Sequence, residues 1–133
     1  MKVIATWPAV SAKSNFPMAL DEANHRLLIG RRRPAKLLVY DTTSGKEIAS
    51  VDIVRDTDDL FYDAARKRLY VSGGDGYLDV FQNQDGNRLA RVAHLSTAAG
   101  ARTSLFVPDQ GRLYLAVPHR GSQKAGIRVP EER

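Results

Sequence analysis

The sequence has no cysteine. A disulfide framework and thiolate metal sites are therefore excluded, and cytoplasm and periplasm are both compatible with it. No apolar run approaches the about 18 residues that a membrane-spanning helix needs, so no span is expected. No window sustains the 3.6-residue period of an amphipathic helix. The first residues, Met1-Lys2-Val3-Ile4-Ala5-Thr6-Trp7-Pro8, lack the apolar core of a signal peptide. Acid is the scarcer charge: 15 Asp and Glu stand against 20 Lys and Arg, a net charge of +5. That balance permits an anionic partner without requiring one. The rest of the composition is that of an ordinary globular protein, and 133 residues suit one domain with a sizeable core.

What the chain does have is a repeat with a period near forty residues. Lys2-Val3-Ile4-Ala5-Thr6-Trp7 resembles Lys46-Glu47-Ile48-Ala49-Ser50-Val51 and Asn87-Arg88-Leu89-Ala90-Arg91-Val92. The stretch from Met18 to Ile29 aligns with that from Leu60 to Val71, and with that from Leu105 to Leu115 at one residue shorter in the turn. Lys36-Leu37-Leu38-Val39-Tyr40-Asp41 aligns with Tyr77-Leu78-Asp79-Val80-Phe81-Gln82, with Gly126-Ile127-Arg128-Val129 as a degenerate last copy. The segments are short and rich in Val, Ile, Leu, Tyr and Phe, which suits strands. They are separated by turn sequences such as Thr42-Thr43-Ser44-Gly45, Gly73-Gly74-Asp75-Gly76 and Asn83-Gln84-Asp85-Gly86.

These patterns predict an all-β protein of about three four-stranded antiparallel blades with strands A to D, the signature of a β-propeller. A β-sandwich would not repeat the same four-part pattern. The expected division is a D strand over 1–10, blades over 15–55 and 57–95, and a last blade over 101–129. The opening D strand is the one the last unit lacks, so it is expected to latch the two chain ends together. Closed rings typically hold four to eight blades. The unit is therefore expected to be a partial ring or one completed by self-association as a homo-oligomer.

Arg68-Leu69-Tyr70-Val71-Ser72 and Arg112-Leu113-Tyr114-Leu115-Ala116 resemble the recurrent second strand of the YVTN-type, YncE-like β-propellers. The hairpin from Leu38 to Lys46 resembles their C–D hairpin, and the stretch from Arg112 to Val129 their C-terminal blade. The chain is thus similar to the C-terminal three blades of such a protein. The resemblance implies a periplasmic or exported setting, which the sequence itself does not fix. It also brings in lactonase-like metal-dependent hydrolases as one activity of the superfamily, and an inactive fragment of a larger propeller as another reading.

In a propeller the D–A connections and B–C loops open on one face, and function on rigid β scaffolds gathers in such loops. The B–C loops contribute Arg31, Arg32 and Arg33, then His119 and Arg120, and a D–A loop contributes Arg102. Arginine forks grip phosphate or carboxylate. These six are the candidate ligand-binding residues; a solvated loop kept polar for solubility is the bland alternative. Asn15, Asp58 and Asp59 are expected at the channel mouth, where an oxygen-rich set suits a divalent cation. The same aspartates can instead begin a strand or pair with Arg102. No catalytic constellation is present: the histidines do not converge, and Ser104 lacks a nucleophile-elbow context. The glycine run 73–76 reads as a hairpin turn. Phe16 and Tyr77 are the aromatics placed for ligand stacking. The expectation is a non-catalytic interaction module for an acidic protein, a nucleic acid or a small anion. No cofactor is expected; a divalent cation at the channel mouth, serving a lactonase-like hydrolase, is the alternative.

Overall fold

A computed structural model describes residues 1–8, 13–84 and 88–131, without the side chains of Lys13, Asn15 and Phe16. Among the described residues are three antiparallel sheets. The first runs in the order β1 (Lys13–Asp21), β2 (Arg26–Arg33), β3 (Ala35–Asp41), β4 (Glu47–Asp52). The second runs β5 (Thr57–Asp63), β6 (Arg68–Gly73), β7 (Tyr77–Asn83), β8 (Leu89–Ser96). The third has only β9 (Ser104–Val107), β10 (Arg112–Val117) and β11 (Gly126–Arg128). Each strand pairs with the next, as hairpin turns dictate. β1 packs against β5 and β5 against β9, so the first strand of each sheet is innermost and the sheets stack like blades.

Local chemistry sets the turns. Asp21, at the end of β1, accepts from the Asn24 side-chain amide at 2.8 Å, and Asp63, at the end of β5, accepts from the backbone of Ala65 at 3.1 Å and Arg66 at 3.3 Å. Asp41 does the same for Thr43 at 2.8 Å. Such Asx turns satisfy backbone donors locally and reverse the chain.

The core lies between sheets. Leu28, Leu37 and Val39 meet Leu60, Leu69, Val71 and Phe81 between the first and second. Tyr70, Leu78 and Val80 meet Phe106 and Leu113 between the second and third. The Tyr70 and Phe106 rings stack at 5.1 Å. Burying a side chain such as Leu37 or Leu69, both fully inaccessible, contributes about 1.5–3 kcal/mol.

Three expectations need correction. Residues 1–8 form no strand, and residues 9 and 10 lie outside the described residues. A lone strand needs a partner; its expected one, β11, belongs to the third sheet, whereas these residues lie on the first. Trp7 sits over the β3–β4 turn, where a Cβ on Gly45 would come within 2.5 Å of its ring, and the Tyr40 hydroxyl donates to the Pro8 carbonyl at 3.4 Å. In the second unit the match to Ile48-Ala49 is Val92-Ala93, since Val39 faces Ala49 and Val80 faces Ala93. The β7–β8 hairpin is longer than the β3–β4 hairpin, since Val80 meets Ala93 where Val39 meets Ala49, and this displaces the copy. In the third unit Arg112 pairs with Val107 as Arg68 pairs with Asp63, so the turn is not shortened. That one-residue slip puts Phe106 in the core and turns Leu105 outward.

Candidate functional site

The chain shares a bend where it enters the inner strand of each sheet, within the first residues of β1 and just before β5 and β9. Ser14, Asp56 and Gly100 occupy equivalent places and all have positive φ, 58°, 57° and 80°. The bend brings the second of them, Asp56, to the centre of the loop face. Its carboxylate accepts from Arg102 Nε at 2.9 Å and Nη2 at 2.6 Å, and lies 3.6 Å from Arg32 Nε. Arg32 also donates to the Thr57 carbonyl at 2.9 Å and to Asp58 at 3.2 Å. One aspartate thus joins a strand of the first sheet to the approach to the third. Gly74 has to be glycine here: a Cβ would fall 2.0 Å from the Asp56 carboxylate. Arg55 grips Asp75 through two nitrogens, the shorter contact at 3.1 Å.

Beneath this layer a hydroxyl chain crosses between sheets. Thr57 Oγ1 donates to the Ser72 carbonyl at 3.0 Å, Ser72 Oγ donates to the Arg102 carbonyl at 2.7 Å, and Ser104 Oγ lies 2.8 Å from Ser72 Oγ. With the Ser72 proton committed, Ser104 is the donor of that last pair. Asp59 accepts from the Ser104 N–H at 2.8 Å. Burial pushes the Asp59 carboxyl above its ordinary value, the Ser104 N–H partly offsets this, and Asp58 beside it adds to the rise.

The predicted residues divide. Arg32, Arg102 and Asp58 come together around Asp56. Asp59 lies one layer deeper. Arg31 is buried in β2. Arg33 and His119 are exposed, and exposed Arg120 lies against Gly100, where a Cβ would be 3.3 Å from its guanidinium. The backbone of Asn15 pairs with Arg31, and its side chain lies outside the described residues, as does that of Phe16. Tyr77 is engaged: His94 stacks on its ring at 4.1 Å and 14°. No group of three or more His, Asp or Glu side chains converges among the described residues.

Sequence reasoning missed two centres. Asp56 stands among several acids in the sequence around the start of β5; its signal is the spacing from Ser14, which only the register reveals. The other is Asp79, fully buried on β7, which accepts from the Val54 N–H at 2.7 Å and contacts His94 Nδ1, with Arg91 at 3.8 Å. A polar residue inside an otherwise apolar strand was the available sign of it.

No protein-family profile and no curated protein matches the sequence. Solved structures do. A Kuenenia stuttgartiensis hydrazine synthase chain superposes with a TM-score of 0.75 at 18% identity, over 86% of this chain and 33% of that one. A putative 6-phosphogluconolactonase from Bacteroides uniformis superposes at 0.69 with 16% identity, over 94% and 40%. The β-propeller domain of Myceliophteria thermophila Cps50 (Swd1) gives 0.61 and 16%, over 90% and 44%. The chain therefore spans less than half the length of each of these three structures. Identities this low speak for fold alone, and with sheets of four, four and three strands the chain is an all-β arc of propeller blades.

Proposed function

We propose that the chain is a non-catalytic interaction module whose loop face takes an anionic partner. We further read it as a YVTN-type, YncE-like propeller, on the strength of Arg68-Leu69-Tyr70-Val71-Ser72 and its copy at 112–116. The observation that carries the binding reading is a charge balance. On the loop face Asp56, Asp58 and Asp75 are matched by Arg102, Arg32 and Arg55. Arg33, His119, Arg120 and Lys124 are exposed on the same face. These three carboxylates are each balanced by an arginine, and exposed Arg33, Arg120 and Lys124 add positive charge, giving a surface of positive potential held on rigid strands.

The test is retention on immobilised heparin, a polyanion, with elution by salt. The wild-type chain is expected to bind and to elute in a salt-dependent way, because charge contacts in solvent are screened. Arg33→Glu with Arg120→Glu should lower the eluting salt clearly. Lys46→Glu with Arg88→Glu makes the same charge change at the opposite face, at exposed positions, and should lower it less. Equal losses from both pairs, or no retention at all, overturn the reading. A thermal upshift on adding Ca²⁺ or Mg²⁺ would instead favour a cation at Asp58 and Asp59 and a lactonase-like hydrolase.

A further inference from the structure

We propose that two copies of this chain close a six-bladed ring, each lending residues 2–7 as the fourth strand of the other's third sheet. Among the described residues the third sheet ends on β11, which has a strand on one side only, while the other two sheets have a fourth strand outside the third. An open edge is a template for another strand. The segment with the fourth-strand pattern is in the chain: Ile4-Ala5 stands where β4 has Ile48-Ala49 and β8 has Val92-Ala93.

Its position already suits that role. In β4, Ala49 and Val51 pack toward the next sheet, while Ile48 points the other way. By the same alternation Ala5 and Trp7 face the next sheet and Ile4 faces the preceding one. Trp7 does sit on the first sheet, over Gly45. Leu38 and Tyr40, on the face of β3 turned away from the second sheet, are both buried, and Tyr40 bonds Pro8. Nearer the axis on that same face, Met18 and Leu20 are 61% and 53% exposed. The outer part of the face is covered and the inner part is bare, which is what a sheet contributing only its fourth strand leaves behind.

The other end of the arc is complementary. Leu105 and Ile127, on the face of the third sheet turned away from the second, are 56% and 68% exposed. They supply the apolar surface that Met18 and Leu20 lack. Beside β8, where the third sheet shows no fourth strand among the described residues, lies a cavity of about 370 Å³ bordered by Leu78, Val80, Ala93, Leu95, Leu113 and Pro130. Ile4, 91% exposed on its own chain, is the side chain directed into it.

The area agrees. The chain exposes 8216 Å², against about 6,900 Å² for a folded monomer of its mass. The excess of about 1,300 Å² exceeds the about 800 Å² that each partner gives to a standard interface. The contact is head-to-tail, and three blades per chain close it after a half turn, giving a blade count within the range of natural rings.

Light scattering on the 133-residue chain after size exclusion tests this. The expected mass is twice 14.7 kDa. Ile4→Asp and Ile127→Lys, each at a position exposed in the single chain, should each halve the mass and leave the far-ultraviolet circular dichroism unchanged. Mixing the two variants should restore the doubled mass, since one seam then has an unaltered strand and an unaltered edge. A wild-type chain that is monomeric at tens of micromolar overturns the proposal. So does a larger particle, or a doubled mass that survives both substitutions.

Discussion

At the scale of single residues, the loop face owes its shape to carboxylates in unlike surroundings. Asp56 lies in the open between two arginines, and its backbone takes a conformation that aspartate tolerates better than most residues. Asp59, one layer below, has a backbone N–H for a partner and a like charge beside it. Burial leads in lifting its pKa, so the folded state favours its protonated form. The unfolded chain holds this proton less tightly. Stability contributed at Asp59 is therefore complete below the ordinary aspartate value and is lost as pH rises through the higher folded value. Asp59→Asn keeps an acceptor for Ser104 and cannot ionise. The wild type should thus gain stability relative to Asp59→Asn as pH falls from 7 toward 4. Urea unfolding of both chains across that range measures it. A constant difference between them would mean that Asp59 titrates as it does in the unfolded chain.

At the scale of elements, Asp79 ties the β4–β5 connection to the middle of the second sheet. Its carboxylate receives the Val54 N–H from that connection, on a strand otherwise packed with Leu78, Val80 and Phe81. Asp79→Ala leaves this buried donor without an acceptor and should cost about 1–3 kcal/mol, the range for a buried polar group left unsatisfied. Asp79→Asn retains an acceptor and should cost less. The urea midpoint of each variant decides. Equal losses would place the effect on His94 or Arg91 instead. How far sequence reveals such elements depends on what sets them. The strands were legible because apolar runs such as 37–40 and 69–71 sit between Asp- and Gly-bearing turns. The register of β8 was not, because an added hairpin length shifts Val92-Ala93 without altering its composition. Phe106 and Leu105 differ in fate by one step, and two adjacent apolar residues carry no mark of which one faces inward. The Arg32–Asp56–Arg102 network was illegible for a different reason: its partners lie 24 and 46 positions apart and meet only through a bend set by backbone φ. The arginines were singled out, and their common partner was not.

At the scale of the whole molecule, each outer sheet depends on the middle one. The second sheet is covered on both faces, by the first sheet's core and by the third's, whereas the third has one covered face and an open edge. Protection from hydrogen exchange follows the cheapest opening that frees each amide. In dilute solution the amides of β6 and β7 should therefore exchange slowest, and those of β11 and of residues 2–7 fastest. Two-copy closure gives this ordering a concentration dependence. Pairing residues 2–7 with β11 creates hydrogen bonds that neither segment has within one chain, so both should slow together as concentration rises. β6 and β7 should slow only as far as association stabilises the whole fold. Exchange followed by mass spectrometry of peptides over a hundredfold range of concentration separates the alternatives. Joint slowing of the two segments supports a shared seam. Slowing of β11 alone would point to edge-to-edge pairing between third sheets, and a profile unchanged by concentration would show that the arc stands by itself.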